Sequence, residues 1–94
     1  MKPSGKGIEF RPSGHKAYSG YFKNGLKHGR GTLFYENGRK AYVGEFSKGL
    51  INGKGVMYYN SGKVLYRGGY KDGNIDKGNL YGINNLLLVN ELKE

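Results

Sequence analysis

With 94 residues, the chain is the size of one small domain, which would bury only roughly 60 to 65% of its unfolded surface and leave little room for a deep catalytic cavity. The lack of cysteine excludes a disulfide framework and a thiolate metal site, and it favours a reducing compartment, with the cytoplasm as the expected location. The formal net charge of +9 predicts attraction to acidic partners, but it does not distinguish a protein segment from phospholipid headgroups or nucleic acid.

The first element is the second half of a repeating unit. The phrase GKGIEFRPSG at residues 5–14 returns 24 residues later as GRGTLFYENG and then again as GKGVMYYNSG. Residues 5–17 are therefore predicted to form a half repeat.

Two whole repeats follow, at residues 18–41 and 42–65. They open with YSGYFKNG and YVGEFSKG, and a third copy begins as YRGGYKDG at Tyr66. Of the 18 glycines, 15 fall in five columns with this period, at 5/29/53, 7/31/55, 14/38/62, 20/44/68 and 25/49/73. A flexible glycine-rich linker would show no such phase.

Each repeat is predicted to contain two strands. Asn24-Gly25, Asn37-Gly38 and Asp72-Gly73 are dipeptides that accept positive φ, as the tight turns of β-hairpins require. Between the turns, side chains alternate with a period of two, so Tyr42, Gly44 and Phe46 share one face of a strand. The rings of one hairpin are expected to lie over the glycines of the next.

From Tyr66 the repeat degenerates, since Lys77 and Asn79 stand where two glycines are expected and Gly78 is one place late. Residues 66–85 are predicted to be a degenerate repeat, and residues 86–94 a hydrophobic cap of the kind that repeat arrays need. An edge strand and a short amphipathic helix both fit the cap. The longest apolar run, Leu86 to Val89, is too short to span a bilayer, so any membrane contact is expected to be peripheral.

The phrase Y-x-G-x-F-x-x-G-x-x-x-G-x-G, complete in YSGYFKNGLKHGRG and YVGEFSKGLINGKG, resembles the MORN repeat. The resemblance covers residues 5 to about 73 and departs from the family at the acid before the aromatic residue, which survives only at Glu45. It implies an all-β fold, an elongated and twisted single-layer antiparallel sheet of tandem β-hairpins in one domain, 1–94. It also implies a non-enzymatic scaffold, in some members at membranes or the cytoskeleton, with a peptide or helix held in the groove.

Six aromatic residues are the candidate partner-binding site. They form two columns of the predicted sheet, Tyr18, Tyr42 and Tyr66 in one and Phe22, Phe46 and Tyr70 in the other. Exposed tyrosines are good interface anchors, so a partner segment is expected on this aromatic and glycine-lined face, although some of the rings must belong to the core.

Basic residues also form columns, and these are the candidate anion-binding residues. Lys6, Arg30 and Lys54 share one register position; Arg39 and Lys63 share a second, and Lys40 lies in a third. In a regular sheet they would make basic stripes suited to an anionic surface or an acidic helix. The alternative is that they are solvated side chains that prevent edge-to-edge association.

Catalytic and metal-binding chemistry has no support in the sequence. His15 and His28 occupy different register positions, and the acidic residues are scattered, so neither a zinc site nor a carboxylate pair assembles. Gly-Lys-Gly at 5–7 and 53–55 lacks the spacing, the hydroxyl residue and the helix of a phosphate-binding loop. We expect no enzymatic activity, no cofactor and no metal.

The sequence therefore favours a protein-interaction or scaffolding module whose partner is a peptide or helix, in a cytoskeletal or membrane-associated assembly. Peripheral binding of acidic phospholipids through the basic columns is the alternative. Nucleic acid is the third candidate and is disfavoured, because the aromatic residues follow the packing register rather than a base-stacking motif. Beginning in mid-repeat leaves an open strand edge, at which a homodimer or a second subunit could pair.

Overall fold

The computed structural model describes residues 4–84 and 86–93, which form one antiparallel sheet of eight strands and no helix. The strands are β1 (Gly5–Phe10), β2 (Lys16–Lys23), β3 (Leu26–Phe34), β4 (Lys40–Ser47), β5 (Leu50–Tyr58), β6 (Val64–Lys71), β7 (Asn74–Tyr81) and β8 (Leu87–Lys93). Each pairs with its neighbours in the chain, so the order in the sheet is the order in the sequence. The dimensions, 44 × 27 × 15 Å, are those of an elongated single layer. The predicted all-β fold is confirmed.

Tight turns join β2 to β3, β4 to β5 and β6 to β7. Both central residues have positive φ in each turn, at 53° and 81° for Asn24-Gly25, 52° and 85° for Lys48-Gly49, and 51° and 88° for Asp72-Gly73. This is the type I′ geometry, whose twist matches that of the flanking strands. Lys48 adopts the same conformation as Asn24 and Asp72, although lysine is less suited to it.

At the opposite end of the hairpins, five-residue loops close through two backbone hydrogen bonds. In loop 35–39, the amide of Tyr35 donates to the carbonyl of Arg39 over 2.8 Å and that of Gly38 donates to Tyr35 over 2.9 Å. Loops 11–15 and 59–63 repeat this pattern. The period of the sequence therefore contains one turn of each kind.

Side chains tie successive loops together. The hydroxyl of Tyr35 donates to the carbonyl of Tyr58 over 2.6 Å, and the hydroxyl of Tyr59 donates to that of Tyr81 over 2.8 Å. Arg11, at the equivalent position one repeat earlier, donates to the carbonyl of Phe34 over 2.6 Å. Each loop is thus bonded to the next, along the whole side of the sheet.

A row of paired glycines crosses seven strands. It runs through Gly7, Gly20, Gly31, Gly44, Gly55, Gly68 and Gly78. The tyrosine two residues before the glycine in β2, β4 or β6 lies over that glycine and its partner in the next strand. At Gly55, a Cβ atom would lie 2.5 Å from Cζ of Tyr42 and closer still to its hydroxyl, so only glycine leaves room for the ring.

The rings that lie over this row form the hydrophobic core. Tyr18, Tyr42 and Tyr66 are at most 1% exposed, and Phe46 and Tyr70 are 4% and 5% exposed. Edge-to-face contacts, with centroids 5.2 to 5.4 Å apart, link them in the order Phe22, Tyr18, Phe46, Tyr42, Tyr70, Tyr66. The sheet therefore buries its core without a second layer, because the rings pack against bare backbone and against one another.

The degenerate repeat keeps the register of the others. Gly78 pairs with Gly68 and lies under Tyr66, although it comes one place before position 79, where the 24-residue period predicts the next glycine of the row. In β3, the three residues 28–30 lie opposite the single residue Tyr21 of β2. In β7, only the two residues 76 and 77 lie opposite Gly69 of β6. The missing residue is absorbed in this β-bulge, so the glycine row continues unbroken.

The C-terminal cap is an edge strand, and the helical alternative was wrong. β8 pairs with β7, with Leu87 opposite Tyr81 and Leu92 opposite Gly78. Leu86, Leu87 and Leu88 remain 51% to 63% exposed. Backbone pairing satisfies the outer groups of β7, which a helix laid on this edge could not do.

Tyr70 carries a buried hydroxyl that makes no hydrogen bond among the described residues. Phe22 and Phe46 occupy the same column. Because an unsatisfied buried hydroxyl costs about 1 to 3 kcal/mol, we expect Tyr70→Phe to raise the free energy of unfolding by about 1 kcal/mol. Urea denaturation measures this, with Tyr42→Phe, which removes a hydroxyl bonded to the carbonyl of Glu45 over 3.0 Å, as the control that should destabilise. A loss of stability in Tyr70→Phe would contradict the prediction.

Candidate functional site

The sheet has two chemically different faces. The aromatic face carries Tyr18, Phe22, Tyr42, Phe46, Tyr66 and Tyr70. Alternation along the strands places their immediate neighbours in the strands on the opposite side. We call this second side the basic face and define it by Lys6, Ile8, Arg30, Val43, Lys54, Val56 and Arg67. A partner can therefore meet two surfaces, which differ in charge and in burial.

The structure gives the six candidate partner-binding aromatic residues a place in the core. Five are buried, and Phe22 is half-buried. Burial raises the pKa of Tyr42 to about 12 and also raises that of Tyr70, so these phenols are neutral at physiological pH. Their role in partner binding stays a prediction, since a partner on this face would first meet the half-buried side chains that surround the rings.

An in-register row of six cross-strand partners runs across the middle of the basic face. Ile8 pairs with Ser19, and the row continues through the cross-strand partners Thr32, Val43, Val56 and Arg67. Val43 and Val56 are half-buried although only solvent lies above them in the single layer. We call these six residues the central row.

An open depression of about 300 Å³ lies over the centre of this row. Val43, Val56 and Tyr58 contribute its apolar side chains, and Gly44, Gly55 and Gly68 expose backbone there. Arg30, Lys54 and Arg67 also line it. A second, separate depression, of about 280 Å³, is lined by Lys6, Gly7, Ile8 and Ser19. We call the two depressions together the groove.

The cations of the groove outnumber the acids beside them. Arg30, Lys54 and Arg67 are exposed, and in the described part of the chain none of them forms an ion pair. Glu45 lies opposite Arg30 across β3 and β4, but its carboxylate accepts the backbone amide of Lys54 over 2.7 Å. Three cations beside one carboxylate leave a net positive charge, which can attract an acidic ligand.

The six candidate anion-binding residues do not form one surface. Lys6, Arg30 and Lys54 lie on the basic face, as their shared column predicts. Arg39 lies instead at the loop end of the hairpins, where its guanidinium donates to the carbonyl of Ser61 over 2.6 Å. Lys63 is in the loop 59–63, and Lys40 begins β4 beside Phe34.

Arg67 is the cation of the groove that was not predicted from the sequence. Its column contains Ser19 and Val43, so no basic repeat marks it. It reaches the groove because it is the cross-strand partner of Val56. Its position follows only from the pairing of β5 with β6 and not from the 24-residue period.

Elsewhere among the described residues, the two histidines lie apart, one at the loop end of the hairpins and one on β3. His15 is bonded to Glu36 at the loop end, and this hydrogen bond lowers the pKa of the Glu36 carboxyl. His28 lies on β3 near Lys23 and Lys48. Within residues 4–84 and 86–93, no three His, Asp or Glu side chains are placed to hold a metal ion, and no helix is long and apolar enough to cross a membrane.

Comparison with known proteins agrees with this geometry. A family model of the MORN repeat matches residues 18–38 and 42–64, and both matches begin at a tyrosine that lies over the glycine row. The comparison with curated proteins gave no match. MORN repeats are a non-enzymatic repeat module that generally interacts with proteins or membranes, and proteins that contain them are often membrane-associated. With two tandem matches in the register of one continuous sheet, this chain is a member of the MORN-repeat family.

Proposed function

We propose that the chain is a protein-interaction module that binds an acidic segment of a partner along the groove of the basic face. The observation that carries this proposal is that Val43, Val56 and Tyr58 line the groove beside three exposed cations that have no ion-pair partner in the described residues. Apolar area supplies the affinity of such contacts, and complementary charge supplies orientation and rate.

The length of the groove supports a partner that crosses the strands. The central row from Ile8 to Arg67 spans six strands, or about 24 Å at about 4.8 Å per strand. A helix of about 16 residues covers this distance. Its apolar side chains would face Val43 and Val56, and its carboxylates would face the arginines and the lysine.

The burial of the core rings also favours the basic face. A partner that displaced Tyr42 or Phe46 would have to separate rings that make edge-to-face contacts and lie over the glycine row. The groove requires no such rearrangement, since Val43, Val56 and the backbone glycines already line it. Most partners of pre-organised interfaces bind with little backbone movement.

Selection from a phage-displayed random peptide library on the intact chain tests the proposal. We expect enriched peptides to combine Asp or Glu with apolar residues. Their affinity should fall at least about tenfold, or about 1.4 kcal/mol, in the triple variant Arg30→Gln, Lys54→Gln, Arg67→Gln. Fluorescence anisotropy with synthetic copies of the peptides gives the dissociation constants.

The matched control removes the same charge elsewhere. Lys23, Lys48 and Lys71 are exposed near the tight turns, and their replacement by Gln should weaken the peptides by no more than about twofold to threefold, because screening limits the reach of distant charges. Equal losses in the two triple variants would mean that net charge alone attracts the peptides, and enrichment of peptides without acids would count equally against the groove.

Peripheral binding of acidic phospholipids is a second candidate function. It is supported by the position of Lys6, Arg30 and Lys54 on one exposed face and by the frequent membrane association of the family. Vesicle binding separates it from the first. Vesicles that contain phosphatidylserine and phosphoinositide should bind the wild type at low salt, release it at high salt, and bind a variant with Lys6, Arg30 and Lys54 replaced by Gln more weakly. Absence of vesicle binding at low salt rejects this candidate and leaves the first intact.

A further inference from the structure

Each glycine of the row from Gly20 to Gly78 lies beneath a tyrosine ring, whereas Gly7 does not. A Cβ atom at Gly31 or Gly78 would collide with the ring of Tyr18 or Tyr66. At Gly7, the nearest atom is Cε1 of Phe22, 3.3 Å away. Gly7 lies on β1, the outer strand of the sheet, so the strand that would supply its tyrosine is missing from the described residues.

Phe22 lacks the second ring contact that its column normally makes. Phe46 touches both Tyr42 of its own strand and Tyr18 of β2, and Tyr70 likewise touches Tyr66 and Tyr42. Phe22 touches only Tyr18 among the described aromatic rings. It is half-buried, whereas Phe46 and Tyr70 are buried.

The uncovered face of Gly7 and the open side of the Phe22 ring belong to one site. In each interior hairpin, the tyrosine that covers the glycine of the following strand is also the one that touches the aromatic residue two strands further on, as Tyr18 does with Gly31 and Phe46. A strand added beyond β1 in the same register would place its tyrosine over Gly7 and against the edge of Phe22. Its glycine, two residues later, would lie opposite Gly7, as Gly20 lies opposite Gly31.

We propose that the outer edge of β1 is a docking site for a β-strand of another polypeptide that carries a Tyr-x-Gly sequence. The strand pairs antiparallel with β1 through backbone hydrogen bonds, and its tyrosine ring fills the space between Gly7 and Phe22. Strand addition at a sheet edge uses the backbone for affinity and the alternate side chains for specificity. The site is therefore specific for a tyrosine with a glycine two residues later in the strand.

A second copy of the chain does not fit this site. Its three Tyr-x-Gly strands, β2, β4 and β6, are each paired on both sides, so none is free without unfolding. Its other outer strand, β8, has the sequence LLVNELK, which contains no tyrosine. The Tyr-x-Gly strand that we propose therefore does not come from a second copy folded in this way.

The test uses the chain with a fluorescein-labelled synthetic peptide, KAYVGEFS, which copies β4 and therefore carries the pattern that complements a strand of this type. We expect it to bind, with slower amide hydrogen exchange at the alternate residues of β1 whose N–H groups point away from β2. The peptide KASVGEFS, which lacks the ring, should bind at least about tenfold more weakly.

Gly7→Ala is the decisive variant of the protein. Its Cβ would meet only Phe22 in the free chain, so the unfolding transition should hardly change, but it would obstruct the incoming tyrosine and weaken KAYVGEFS at least about tenfold. Ile8→Val, on the same strand but on the basic face, should bind as the wild type does. If Gly7→Ala fails to fold, the comparison of the two peptides still decides.

Three results would overturn the proposal: no binding of KAYVGEFS to the wild type, equal binding of the two peptides, or undiminished binding to folded Gly7→Ala. The triple variant of the groove should bind KAYVGEFS unchanged. Failure of the edge site is therefore distinguishable from failure of the proposed function on the basic face.

Discussion

Replacing Tyr42 by alanine is expected to destabilise the fold by about 3 to 5 kcal/mol, the range for large aromatic residues removed from a core. Tyr42 is 1% exposed, touches the rings of Phe46 and Tyr70, and donates to the carbonyl of Glu45 over 3.0 Å. The substitution removes the ring from the middle of the core and leaves Gly44 and Gly55 uncovered. Because domains of this size have only about 5 to 15 kcal/mol of stability, much of the population should unfold near body temperature.

Urea denaturation followed by circular dichroism measures this loss, with Tyr21→Ala as the control. Tyr21 is 48% exposed and lies on the other face of β2, so its removal should change the free energy of unfolding by no more than about 0.5 kcal/mol. Similar losses in the two variants would mean that the rings over the glycine row are not the core of the protein.

Gly55→Ala is expected to destabilise the fold by about 3 kcal/mol, at the upper end of the usual cost of overpacking. The added methyl group would lie 2.5 Å from Cζ of Tyr42, and the ring cannot move aside because Phe46 and Tyr70 hold its two neighbouring positions. A substitution that normally stabilises a strand by reducing the entropy of the unfolded chain should therefore have the opposite sign here.

Gly69→Ala is the matched control on the same sheet. The nearest atom to its Cβ would be the carbonyl oxygen of Lys77 at 3.5 Å, an ordinary contact, and the equivalent positions hold Tyr21 and Glu45. Its stability should be unchanged or slightly higher. In the Tyr42→Ala background, Gly55→Ala should cost much less than it does in the wild type, because coupled residues are not additive. An additive cycle would contradict the assignment of the clash to the ring.

The fold could be predicted from the sequence because glycine and tyrosine share one period. Asn24-Gly25 and Asp72-Gly73 specify turns by local chemistry, and the period then repeats the hairpin without any long-range information. Gly78 was harder to place, since a one-residue deletion breaks the phase of the sequence but not that of the sheet. The β-bulge beside Gly69 absorbs the deletion, and bulge size cannot be read from a period.

The candidate site was predictable only in part. Alternation identifies residues that share a face, such as Tyr42 and Phe46, but in a single layer it does not identify which face is covered. The rings become core because the paired glycines beneath them allow close packing, a property of two strands together. Arg67 enters the groove by cross-strand pairing with Val56, and Arg39 is held at the loop end by Ser61; neither contact follows from the column that the residue occupies.

The contact between Tyr18 and Phe46, repeated between Tyr42 and Tyr70, joins only adjacent units of the array. Among the described residues, the ring contacts of one unit reach only the next unit, so copies of 24 residues could be inserted or removed with the contacts between units intact. Each added or removed copy would then change the length of the groove and the number of its charged residues. Gene duplication could therefore set the length of such a scaffold without any change in its core.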